Sequence, residues 1–268
     1  YGIDFFAYDW YWDGGQSLLE HALKAHLTAK NKDKLKFCLL WANHSAIPRN
    51  LKEFDDMISY WTDNYFNKSI FYTIDGKPVI VVFSHDQLDQ NAKSFGESAK
   101  SLLERAQAKA REKGYKGIFF VAAANARPSS GLETGLRDEG YSAYSGWNYV
   151  ASKDSSKVAD YNSMVNTYLD FFDAASKTTR SLPYIVPASP GWDSRPWHGK
   201  DATVRENPSP EKFEKMLIGA KKLLDSQNTS PKILMIEAWN EFGEGAYIEP
   251  TKKWGMRYLE TIRKVFGQ

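Results

Sequence analysis

Lys36-Phe37-Cys38-Leu39-Leu40-Trp41 is an apolar run of strand length that breaks off into Ala42-Asn43-His44. A strand with one wet face alternates polar and apolar positions; this run does not, so both of its faces must be covered. Outward from it the pattern recurs. Runs at 3–8, 78–83, 117–123, 143–147, 184–187 and 233–239 are equally short, apolar and rich in β-branched or aromatic residues. Between them lie stretches with helical spacing. Leu18, Leu19, Ala22, Leu23 and Leu27 mark one helix face, and Phe54, Met57, Ile58, Trp61 and Tyr65 mark another. Further helices are predicted over 92–113, 163–176, 210–225 and 255–266. Ser209 as N-cap, with Pro210 in the first turn, starts the helix at 210.

Strands that alternate with helices pair in parallel, because each helix returns the chain to its starting edge. Seven such units run through the 268 residues with no change of composition and no Gly/Ser-rich or Pro-rich linker. This predicts a single α/β domain over 1–268, either an open doubly wound sheet or a closed (β/α)8 TIM barrel. No strand–helix turn carries Gly-x-Gly-x-x-Gly, which weakens the open dinucleotide-binding version. Polar and aromatic residues follow the C-terminal end of nearly every run, and a barrel gathers all such ends at one mouth. The barrel is therefore the expected fold, with its first strand–helix unit missing from this chain. Tyr1 is not an initiator Met, so a preceding segment is expected, and with it a secreted, periplasmic or surface-associated location.

Composition narrows the function. Lys+Arg 35 against Asp+Glu 33 gives a net charge of +2 and no electrostatic pull toward nucleic acid. No apolar run approaches the ~18 residues of a membrane span. A single cysteine, Cys38, excludes intrachain disulfides and cysteine-rich zinc sites. The anomaly is aromatic: 9 Trp, 15 Tyr and 15 Phe, many at the ends of apolar runs.

Reading each run across its C-terminal end gives a ring of candidate binding residues. The first delivers Asp9, Trp10, Tyr11, Trp12 and Asp13; the second Trp41, Asn43 and His44; the third His85 and Asp86. Asn125 and Arg127 follow, then Trp147, Asn148 and Tyr149. The sixth offers Trp192, Asp193, Arg195, Trp197 and His198, and the last Trp239, Asn240, Glu241 and Glu244. Flat rings beside carboxylates and amides suit a sugar, whose C–H faces stack on aromatics while its hydroxyls need donors and acceptors. Any one of these rings could instead pack between strands and helices.

The carboxylates Glu241 and Glu244 stand in Trp239-Asn240-Glu241-Phe242-Gly243-Glu244-Gly245, where two glycines permit a tight turn. Two carboxyls in one cavity raise one another's pKa, leaving one as acid and one as base, the pair that glycosidic cleavage needs. Asp9, Asp13 and Asp193 compete for these roles. Glu237 falls inside the last run and is expected to make an inward polar contact. His44, His85, Asp9 and Asp193 form no recognised metal-ligand spacing, so neither metal nor other cofactor is expected. No Gly-x-Ser-x-Gly nucleophile is present.

At Trp239–Gly245, together with Ile248-Glu249-Pro250, the sequence resembles the glycoside hydrolase family 99-like group. That group comprises relatives of the endo-α-mannosidases and includes polysaccharide-cluster proteins labelled as glycosyltransferases. Gly2-Ile3-Asp4-Phe5, Tyr8-Asp9-Trp10-Tyr11-Trp12, Phe37-Cys38-Leu39-Leu40-Trp41-Ala42-Asn43 and Ser189-Pro190-Gly191-Trp192-Asp193 extend the likeness over nearly the whole chain. The resemblance implies a (β/α)8 barrel that cleaves a polysaccharide or oligosaccharide without metal and with retention. By position Glu241 would assist attack of a 2-hydroxyl on C1, and Glu244 would protonate the leaving oxygen and then activate water. Two departures stand out: Phe242 replaces a frequent Trp, and Asn43-His44-Ser45 lacks the Asn-Glu-Asn-Trp continuation. Two alternatives stay open, a carbohydrate-binding pseudoenzyme and a glycosyltransferase. The latter lacks Asp-x-Asp, and Asp55-Asp56 on a helix face does not supply it.

Overall fold

A computed structural model describes residues 1–45, 47–124, 128–146 and 156–267. The described residues form two compact units, one within 3–124 and 131–144, the other made of 1–2, 128–130, 145–146 and 156–267.

The first unit runs β1 (Phe5–Asp13), β2 (Gln16–Leu18), α1 (His21–Thr28), β3 (Lys36–Trp41), α2 (Leu51–Trp61), β4 (Thr73–Ile74), β5 (Lys77–Val82), α3 (His85–Ser94), α4 (Ala99–Glu112), β6 (Phe119–Ala123), α5 (Ser130–Glu139) and β7 (Ala143–Ser145). β1, β3, β5 and β6 pair in parallel in chain order, with Trp10 opposite Trp41, Leu39 opposite Ile80 and Val79 opposite Phe119. β3 is buried at every position after Lys36, as its unbroken apolar run requires. β2 folds back antiparallel on the end of β1.

Side chains alternate across β1. Tyr8, Trp10 and Trp12 lie on the helix side, where Trp10 meets Trp61 edge-on at 5.5 Å, Trp12 meets Tyr60 at 5.5 Å, and Trp41 meets Trp61 at 5.8 Å. Burying about 200 Å² per indole contributes up to ~5 kcal/mol each before entropy is counted. The slab closes on a buried carboxylate. Glu20 accepts from the Trp10 indole at 3.2 Å, from Tyr60 at 3.2 Å, from Lys24 at 2.9 Å, and from Tyr65 in the π-helical turn after α2. Burial pushes its pKa up, but hydrogen bonds from Lys24, Ser17 and Trp10 outweigh that and hold the carboxyl below its ordinary value.

The second unit contains β8 (Val158–Asp160), α6 (Tyr161–Ser176), β9 (Tyr184–Ala188), β10 (Trp192–Asp193), α7 (Arg195–His198), β11 (Val204–Glu206), α8 (Pro210–Ser226), β12 (Leu234–Ile236), β13 (Asn240–Glu241), β14 (Ala246–Tyr247) and α9 (Arg257–Phe266). β9 and β12 pair in parallel, Ile236 opposite Ala188. α8 packs on α6, α9 and β9 through Phe213, Met216, Leu217 and Ala220. Ser209 caps α8 as expected, its hydroxyl accepting from Lys212 N at 3.4 Å.

Three expectations are corrected. The helix predicted over 92–113 is two helices, because Gly96 (φ 75°) ends the first and a Ser98/Ser101 capping box opens the second. Leu18 closes β2 and Leu19 is exposed at φ 56°, so the first helix starts only at His21. The last apolar run is strand only over Leu234–Ile236; Glu237 follows it, buried, with a cis bond to Ala238.

Candidate active site

Beyond β12 the chain makes a short hairpin. Asn240 pairs with Tyr247 and Glu241 with Ala246, so Glu241 lies on the opposite hairpin face from Asn240 and Tyr247. A 3₁₀ turn, Phe242–Glu244, joins the two strands, and Gly245 closes it in the left-handed region at φ 65°. Glu241 ends β13 as the N-cap of this turn and Glu244 is the turn's last residue, three positions on. Both carboxylate residues are half-buried.

The glycines fit this turn to its surroundings. A Cβ on Gly245 would stand 2.7 Å from both Cβ and N of Asp193, and one on Gly243 would meet the Trp197 indole at 2.8 Å. The 191–197 segment therefore lies directly on the hairpin backbone. Between them opens a cleft of about 390 Å³ walled by Trp192, Asp193, Arg195, Phe242, Gly245 and Tyr247. Phe242 stacks obliquely on Tyr247 at 4.7 Å. Arg195 grips Asp193 with Nε at 2.8 Å from Oδ1, and this guanidinium holds the Asp193 carboxyl below the usual range.

The candidate residues divide by location. Trp192, Asp193 and Arg195 come together in this cleft, beside the hairpin that carries Asn240, Glu241 and Glu244. Trp239, half-buried, precedes that hairpin, and its carbonyl accepts from Glu249 N at 2.9 Å. In the first unit Asp9 is exposed and Tyr11 half-buried, on the face opposite the indoles. His44 keeps much of its surface in solvent, but its ring lies 4.2 Å from that of Phe83, and this partial desolvation lowers its pKa. His85 opens α3, with Nε2 3.6 Å from Asp86.

Four assignments are corrected. Trp10, Trp12 and Trp41 are 1–2% exposed and serve as the helix-side slab, so they offer no ring face to a sugar. Asn43 is fully buried and spends its amide on Ser84, donating to its carbonyl at 2.8 Å and accepting from its N–H at 2.9 Å. It ties the end of β3 to the end of β5. Asn125, Arg127, Trp147, Asn148 and Tyr149 lie outside the described residues. Sequence reasoning missed Phe242 and Tyr247 as cleft walls, although their place on either side of Gly243 and Gly245 was a usable signal. Glu20 had only its i,i+4 spacing to Lys24, its partner Tyr65 being 45 residues away.

Among the described residues no three of His, Cys, Asp and Glu stand together as metal ligands, and no helix is long and apolar enough to cross a membrane.

This is a mixed α/β protein with a parallel sheet, similar in fold to family 99 glycoside hydrolases. A glycoside hydrolase-like protein superposes with TM-score 0.66 at 13% identity, over 92% of this chain and 74% of that one. The GH99 endo-alpha-mannosidase from Bacteroides thetaiotaomicron superposes with TM-score 0.58 at 16% identity, over 97% and 73%. The chain belongs to the family described as Glycosyltransferase WbsX, whose sequence profile matches residues 1–262. The protein WxcX of Xanthomonas campestris pv. campestris, itself uncharacterized, is 21% identical over 98% of this chain. The chain spans 39% of that relative's length. The likeness read from the 239–250 motif thus holds for the group.

Proposed function

We propose that this chain is the catalytic part of a glycoside hydrolase that cleaves a polysaccharide or oligosaccharide by a metal-independent, retaining, two-carboxylate route. The observation that carries the reading is the hairpin after β12, which sets Glu241 and Glu244 one tight turn apart and half-open to solvent. The family 99 likeness supports the chemistry and also the barrel architecture. A secreted, periplasmic or surface-associated setting belongs to the same reading.

In this reading Glu241 takes the proton of the sugar's 2-hydroxyl as that oxygen attacks C1. Glu244, as the acid, protonates the departing oxygen, and a 1,2-anhydro sugar results. Glu244, now a carboxylate, then takes a proton from water as it opens the ring at C1, and Glu241 returns its proton to O2. Each inversion at C1 cancels the other, so configuration is retained. Direct nucleophilic retention would instead call for carboxyls about 5–5.5 Å apart and inversion for about 6.5–9.5 Å.

The test is reducing-end release from neutral polysaccharides by the wild-type chain and by Glu241→Gln and Glu244→Gln. Each substitution is expected to lower turnover by about 10²–10⁴ while leaving saccharide binding in place. Equal loss of binding and turnover defeats the role assignment. The family's description favours one other reading, glycosyl transfer; consumption of an activated sugar donor with no hydrolysis of any glycan would establish it.

A further inference from the structure

We infer that the cleft on the Phe242–Tyr247 side of the hairpin is a glycan-holding site distinct from the Glu241 side, and that it takes one or two neutral pyranose units of a chain. It rests on the glycan part of the reading above and not on hydrolysis.

Three observations carry it. Trp197 is 67% exposed and Phe242 52% exposed, although both flank a turn packed tightly enough to exclude any side chain at positions 243 and 245. Two large rings left in water on one rigid turn give an exposed apolar surface beside the cleft. The cleft volume of about 390 Å³ lies within the ~300–1,000 Å³ of small-molecule sites. The half-buried Trp192 adds a further ring to this wall.

The polar groups select the occupant. Arg195 is neutralised by Asp193, and Arg205 turns its Nη1 to the carbonyls of Lys157 and Val204. Glu206, also in the wall, adds a negative charge. Phosphate or uronate would therefore find both arginines engaged and a carboxylate opposing it. An ion pair instead presents acceptor lone pairs and donor N–H groups side by side, which matches a vicinal diol, whose hydroxyls both donate and accept. Rings for the C–H faces complete the match to a neutral sugar. Alternation across β13 and β14 puts this surface behind Glu241, so it grips a part of the chain away from the bond being cut.

The test uses the full chain carrying Glu241→Gln, run on native gels containing α-mannan, galactan or dextran, with polygalacturonate as the acidic comparison. Retardation in at least one neutral gel is expected. Adding Trp197→Ala or Phe242→Ala should weaken affinity by about tenfold or more. Both side chains are exposed, and an unchanged thermal midpoint verifies folding. No retardation in any neutral gel, retardation by polygalacturonate alone, or retardation indifferent to both substitutions overturns the inference. Retardation without turnover by the wild-type chain ends the hydrolase reading and leaves the cleft. Turnover with undiminished affinity in both ring variants does the reverse.

Discussion

The same residue type has opposite fates in the two units. Trp10, Trp12 and Trp41 pack with Trp61 of α2 and are almost wholly shielded from water, whereas Trp197 lies open across Gly243. In the first unit the indoles are bought by strand alternation: even positions of β1 face the helices, and Asp9 and Tyr11 take the other side. In the second, the bare backbone of Gly243 lets Trp197 lie directly on the turn with most of its surface in water. Tryptophan abundance alone therefore says little about ligand binding; what lies behind the ring decides.

The contrast can be broken most forcefully at Trp41. Trp41→Ala leaves a hole beside Trp61 and Phe54 and is expected to cost about 3–5 kcal/mol, read as a drop in denaturant midpoint. A loss below about 1 kcal/mol would show that the slab is loosely packed. Next, Glu20→Ala strands the Trp10 and Tyr65 donors in the interior, at about 1–3 kcal/mol in the same measurement.

Gly245→Ala should also cost about 1–3 kcal/mol, from its left-handed backbone and the clash with Asp193. Trp197→Ala, at the far end of the scale, should move stability by no more than about 0.5 kcal/mol.

Acid sharpens the comparison further. Glu20 has a depressed folded pKa, so its stabilising effect is complete above the ordinary carboxyl range and is lost as pH falls through the folded value. Asp193 obeys the same sign through Arg195, but its pair is exposed and screened and should contribute less. Thermal midpoints measured from neutral pH downward should fall, and Glu20→Gln should flatten that fall more than Asp193→Asn does.

How much was readable follows from the same physics. The run 36–41 declared a strand covered on both sides and is one, since an unbroken apolar stretch leaves no alternative face. The side taken by Trp10 and Trp12 is also written in their alternation with Asp9, Tyr11 and Asp13, a parity that strand-end position alone does not carry. Gly96 and Ser98 spelled a helix stop and start inside 92–113, hidden by apolar spacing that continues across the break. The Asn43–Ser84 clamp was not legible, its partner lying 41 residues away; of the Glu20 network only the Lys24 pair, four residues on, was local, while Tyr60 and Tyr65 are 40 and 45 residues away.

The seat of Trp197 on Gly243 has a spectroscopic consequence. A solvent-open indole emits at longer wavelength than sealed ones and is reached first by acrylamide; among the described tryptophans Trp197 is the one classed as exposed, so the most readily quenched part of their fluorescence is weighted toward that surface. Its shielding by an added saccharide, followed by titration, would read occupancy directly in unlabelled protein.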